Sequence, residues 1–237
     1  ISLGLVGSEM CIRDSPRLSK LFVADDRLSF SETLDWSMKL VFLIGMPAVI
    51  GLILLAEPII LVLFERGAFT SEDTLQASYS LIALAIGLVA FMLIKVLTPS
   101  FFARQEPKKP MIVALGSMIL NGVLAWIFGF YLGYGHIGLA IASSVSAFFT
   151  VITLLILLRI EEIYEPSAGW LVFWLRLLFA AILLIVWLIY FDHDIFYLRE
   201  LTAFDKVSYL LKMVIVGILI YLLALRVTGL KIKDFLN

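Results

Sequence analysis

Lys95 stands seven residues before Phe102, where an otherwise uncharged apolar run ends, and Pro99 follows it by one helical turn. At about 1.5 Å per residue the ammonium starts about 10 Å inside a helix, a depth from which reaching the headgroups is hard. Two readings stand: a cation kept for an anionic cargo or an acidic gate partner, or a lysine that snorkels. Pro99 withholds a backbone donor from the carbonyl of residue 95, so a kink is expected at that turn. Just beyond, FFARQEPKKP at residues 101–110 gathers Arg104, Lys108 and Lys109 around two prolines. Guanidinium and ammonium groups suit phosphate, and they equally suit anchoring to anionic lipid at about 1 kcal/mol per basic residue. Glu65 and Arg66, adjacent in FERGAFT at residues 64–70, read as a gate contact or as the polar tip of a hairpin. Asp192-His193-Asp194 is the one compact acid–base candidate. It lacks a further acidic pair or metal-ligand spacing, with Cys11 the single cysteine and His136 the other histidine, so no catalytic residue, metal site or cofactor is expected.

The elements that must carry these charges follow from composition. Hydrophobic residues make up 62% and charged residues 16% of the chain, against about 45–50% and about 25% in soluble domains. Mean hydropathy is +1.06. Six apolar runs of 19 to 25 residues occupy residues 40–64, 79–102, 111–134, 137–158, 170–191 and 207–225. A hydrocarbon core of about 30 Å needs about 20 helical residues and leaves no partner for unpaired backbone groups, so each run predicts a spanning helix. The expected fold class is all-α: a polytopic membrane bundle of six transmembrane helices. Lys+Arg number 18 and Asp+Glu 19, a net charge of −1, which argues against a nucleic-acid partner.

Basic residues cluster on alternate loops. Arg17, Lys20, Arg27 and Lys39 precede the first run; Arg104, Lys108 and Lys109 follow the second, Arg159 the fourth, and Arg226, Lys231 and Lys233 the sixth. The opposite loops hold Arg66, Arg199 and Lys206. The positive-inside bias therefore puts both ends of the chain in the cytoplasm and FERGAFT outside. In that hairpin Pro58 can open a short helical turn that Gly67 ends in the left-handed region, and Thr70 with Asp73 approximates a capping box for the next span. Arg176 and Lys212, each near one end of its run, are expected to snorkel, and Glu57 to mark an interfacial helix end. Asn121 and Ser143, Ser144 and Ser146 are expected to join helices by hydrogen bonds and small-residue packing. The opening ISLGLVGSEMCIRDS, residues 1–15, lacks the pattern of a signal peptide and reads as an assembly artefact or a loose tail.

From residue 16 onward, PRLSK at 16–20, LFERGAFT at 63–70, IKVLTPSFFARQEPKKP at 94–110 and GLKIKDF at 229–235 come in an order that resembles the C-terminal part of the MurJ/MviN family. Those proteins are bacterial flippases for lipid II, the lipid-linked peptidoglycan precursor. The resemblance implies a fold of two six-helix bundles around a cavity plus two added helices. Residues 16–160 would then be the last four helices of the second bundle, and 161–237 the added pair. It implies the inner membrane as location, lipid II and membrane lipids as partners, and a coupling ion or the membrane potential as a further one. It also implies that the cavity arginines used for pyrophosphate lie outside this sequence. Within it, Lys95, Arg104, Lys108, Lys109, Glu65 and Arg66 are the candidates for cargo contact or gating. The added helices are candidate walls for the lipid tail, or ordinary lipid contact. Alternatives are a flippase for another lipid-linked glycan, a drug exporter of the same superfamily, a membrane-embedded transferase, or a passive scaffold.

Overall fold

The computed structural model describes residues 27–191 and 195–229. Residues 1–15, PRLSK, the Asp192-His193-Asp194 cluster and most of GLKIKDF lie outside the described residues. Those described form helices: α1 Arg27–Leu54, α2 Ala56–Phe64, α3 Ser71–Ala103, α4 Lys108–Trp126 with a π-helical extension Ile127–Tyr131, α5 Gly135–Ile160, α6 Trp170–Phe191, α7 Ile195–Glu200 and α8 Ala203–Val227. Among the described residues, six helices are long and apolar enough to cross a membrane.

The first predicted run needs correcting at both ends. Its helix begins at Arg27, so Arg27 and Lys39 are helical residues rather than parts of a preceding loop. Apolarity marks only the stretch that lies in hydrocarbon, and the helix continues past it. Asp35 and Lys39 pair across one turn at 2.6 Å. The hydroxyls of Thr33 and Ser37 donate to the carbonyls four residues back, at 2.7 and 2.9 Å. The run is also not one helix, because Leu55 interrupts it before α2. Pro58 cannot donate to the carbonyl of Leu54, yet it fits the first turn of α2, where no such donor is required.

Gly67 takes φ +62° and turns the chain. Thr70 Oγ1 then accepts from the Asp73 amide while Asp73 accepts from the Thr70 amide at 2.8 Å, a complete capping box for α3. The same helix runs on through Pro99 to Ala103.

Helices α3 and α5 end alike. After α3 the amides of Gln105 and Glu106 donate to Phe102 and Phe101 carbonyls, both at 3.0 Å; after α5 those of Glu162 and Ile163 donate to Arg159 and Leu158 carbonyls at 3.0 and 3.1 Å. This is the Schellman pattern. Its left-handed position holds Gln105 at φ 58° and Glu162 at φ 54°, where glycine would be the unstrained choice.

Helix α5 lies between α3 and α4. A Cβ on Gly87 of α3 would fall 2.5 Å from Ser144 Oγ and 2.9 Å from its Cα, so the two helices touch nearly backbone to backbone. Ser144 donates to the Ala83 carbonyl at 2.6 Å, and Asn121 of α4 donates to Ser146 Oγ at 3.1 Å and Ser143 Oγ at 3.4 Å. The small-polar cluster thus joins three helices. One apolar core unites α1, α3, α4 and α5 around Leu34, Leu93, Leu97, Val113 and Leu154. A second unites α1, α6 and α8 around Leu43, Leu177, Leu184, Met213 and Tyr221. Helix α1 belongs to both cores.

Candidate functional site

The sharp turns after α3 and α5 bring their charged residues to one end of the bundle. Arg104, with only 9% of its side chain exposed, places one terminal nitrogen 2.7 Å from Glu161 Oε2 and the other 3.1 Å from Glu106 Oε2. Lys109 Nζ lies 2.7 Å from Glu106 Oε2 and 2.6 Å from Glu161 Oε1. Both oxygens of Glu161 are therefore engaged, one by each cation. Burial would raise its pKa, but the hydrogen bonds from Lys109 and Arg104 outweigh that and hold the carboxyl below the usual glutamate range. Lys108 is exposed and takes no part in this network among the described residues.

Beside it, Asp35 of α1 is 3% exposed and gathers the segment between α5 and α6. It accepts from Tyr164 Oη at 2.8 Å, from Ser167 Oγ at 2.7 Å and from Trp170 Nε1, while Lys39 pairs with it and lies 5.2 Å above the Trp170 ring. Burial and the bond to Asp35 push the Tyr164 phenol well above its ordinary pKa, so it is a permanent donor. Ser31 closes the join with a donated bond to the Glu165 carbonyl at 3.1 Å and an accepted one from the Glu165 amide at 3.0 Å. A cavity of about 600 Å³ opens here, edged by Arg27, Glu32, Asp35, Lys39, Glu162 and Glu165.

At the other end, Glu65 accepts from Thr74 Oγ1 at 2.7 Å and from Arg199 Nε at 3.1 Å, and Arg199 also reaches Glu57 at 3.9 Å. Arg66 does not join that pair; it donates to the Val62 carbonyl at 3.3 Å and is exposed. Lys95 is exposed on α3 while Leu93 and Leu97, two residues either side, are buried in the bundle.

Of the six residues singled out from sequence, Arg104 and Lys109 converge, Glu65 joins a second network, Lys108 and Arg66 lie outside both networks among the described residues, and Lys95 lies on an exposed face of α3. Sequence reasoning missed Asp35, Glu161 and Arg199. The i, i+4 spacing of Asp35 and Lys39 was a usable signal. Nothing local links Glu161 to Arg104, 57 residues away.

The family model described as "Lipid II flippase MurJ" matches residues 9–224. A probable lipid II flippase MurJ of Vibrio cholerae is 41% identical over 179 residues, 76% of this chain and 34% of that protein. One from Haemophilus influenzae is 33% identical over 97% of this chain and 46% of its own length. A solved structure, "Lipid II flippase MurJ, inward closed conformation", superposes with a TM-score of 0.74 at 28% identity, covering 99% of this chain and 45% of that one. The chain thus spans less than half the length of these relatives. Matched along most of its length in sequence and in the arrangement of its helices, it belongs to the MurJ lipid II flippase family.

Proposed function

We propose that this chain is part of a carrier that flips lipid II across the bacterial inner membrane by alternating access. The observation that carries the reading is the family match over residues 9–224, on a chain whose six long apolar helices already make it a multi-pass membrane protein. This is a family of transporters rather than of enzymes. On this reading residues 16–160 are the last four helices of the second bundle and 161–237 the added pair, with the C-terminus cytoplasmic. The two apolar cores, meeting at α1, support that division. So does the distribution of basic residues for the orientation.

The cargo has an anionic pyrophosphate head, which needs cationic donors, and a long apolar tail. Arg104 and Lys109 sit where three helix ends meet, held by a carboxylate that a phosphate can replace in kind, with Lys108 exposed alongside. They form the mouth where the head is first met. Lys95, further along α3, contributes a cation to the head's path, and Glu65 with Arg66 lie at the outer end as gate residues. A coupling ion or the membrane potential drives the cycle.

The test is direct translocation. Residues 16–237, joined behind the preceding part of the Haemophilus influenzae relative and reconstituted in vesicles, should move fluorescent lipid II to the opposite leaflet. Failure to move lipid II, with transport of an O-antigen-type polyprenyl glycan or a drug cation instead, would replace this cargo with that one.

A further inference from the structure

Pro47 lies inside α1, one turn beyond Val41–Leu43, where that helix passes from one apolar core to the other. A proline has no amide hydrogen, so the carbonyl four residues back, that of Leu43, has no α-helical donor from residue 47. Such a group in the low-dielectric interior costs free energy comparable to a lost hydrogen bond unless another donor reaches it. A donor does. Tyr221, on α8 and 178 residues further along the chain, donates its hydroxyl to the Leu43 carbonyl at 2.8 Å, with both residues buried. The ring is packed in the same core as Leu43, Leu55, Ala224 and Leu225, so the phenol can turn to few other partners.

We infer that Tyr221 is a positioning residue of the carrier: its hydroxyl occupies the carbonyl that Pro47 leaves unserved, and thereby fixes α8 in register against α1. The inference rests on the flippase reading. Three polar joins then tie the added helices to α1 and α2 along the length of the bundle. Asp35 holds the segment leading into α6 at one end, Tyr221 holds the middle, and Glu65 holds Arg199, in the last turn of α7, at the other. The added helices therefore move as one body with the bundle that owns α1, and a tail path along them keeps its geometry while the bundles rock.

A double substitution isolates the proposed bond. Tyr221→Phe removes the hydroxyl and keeps the ring; Pro47→Ala returns an amide donor to Leu43 and favours helix. In the joined full-length carrier, Tyr221→Phe alone should lower the melting temperature in detergent by about 1–2 °C. It should also slow lipid II translocation about threefold to tenfold, the scale of one buried hydrogen bond. In the Pro47→Ala background the same Phe should change both by much less. Equal losses in the two backgrounds, or none in either, would overturn the pairing with Pro47. A melting shift that depends on Pro47 without any change in translocation would overturn the positioning role and leave a structural bond. A parent carrier that melts normally but moves no lipid II would instead defeat the cargo reading, while the melting comparison still judges the bond.

Discussion

Charges near a hydrocarbon core are costly, about 2.5–3.5 kcal/mol on insertion scales for a cation at the helix centre, so each needs its own account. Arg104, Lys109, Lys39 and Arg199 have theirs, because each faces a carboxylate within hydrogen-bonding reach. Lys95 is exposed on a face of α3 that turns away from the bundle core. If its charge serves the cargo, removing the charge harms transport and not assembly. In a full-length carrier, Lys95→Met should insert and accumulate like the parent yet translocate lipid II poorly. Lys95→Arg should retain substantial activity, since it keeps the charge and alters only its shape. Protein abundance and translocation measured side by side decide the matter. Full activity in Lys95→Met would make Lys95 a snorkelling residue.

The helices and their connections carry the orientation. Helix α3 starts at a capping box and ends in a Schellman turn, so the FERGAFT hairpin and the Arg104–Lys109 connection lie at opposite ends of one 33-residue helix. At about 1.5 Å per residue that is about 50 Å, enough to cross the hydrocarbon and both headgroup layers. The two connections must therefore face different compartments. With Cys11 replaced, single cysteines at Ala68 and His136 should react with an impermeant thiol reagent added outside intact cells, and one at Lys108 should not. His136 is chosen over its neighbour Gly135, whose φ of +55° would strain any side chain. Labelling at Lys108 with protection at the other two would invert the orientation.

At the scale of the whole molecule, a carrier that alternates between bundles needs both. The chain matches less than half of each relative compared, so residues 16–237 expressed alone should fail to replace a cell's own flippase. The same residues joined behind the preceding part of a relative should restore growth. Growth on the segment alone would refute alternation between two bundles as the mechanism.

What the sequence by itself determined is whatever depends on neighbours along the chain. Six apolar runs of membrane length announce six spans, because the bilayer's thickness and the need to satisfy every backbone group leave little choice. Gly67 and the Thr70–Asp73 pair announce the hairpin, because left-handed turns and capping boxes are made by residues a few positions apart. Asn121 and the serines announce close helix contacts, since small polar residues have few other uses within a membrane. Only the tertiary structure decided which charges meet. Arg104 finds Glu161, Asp35 collects Tyr164 and Ser167, and Tyr221 serves Leu43, across separations of 57 to 178 residues. No spacing rule reaches that far. Such pairs form because helix packing, driven by shape and by small residues, brings distant donors beside acceptors that the dry interior cannot leave unpaired.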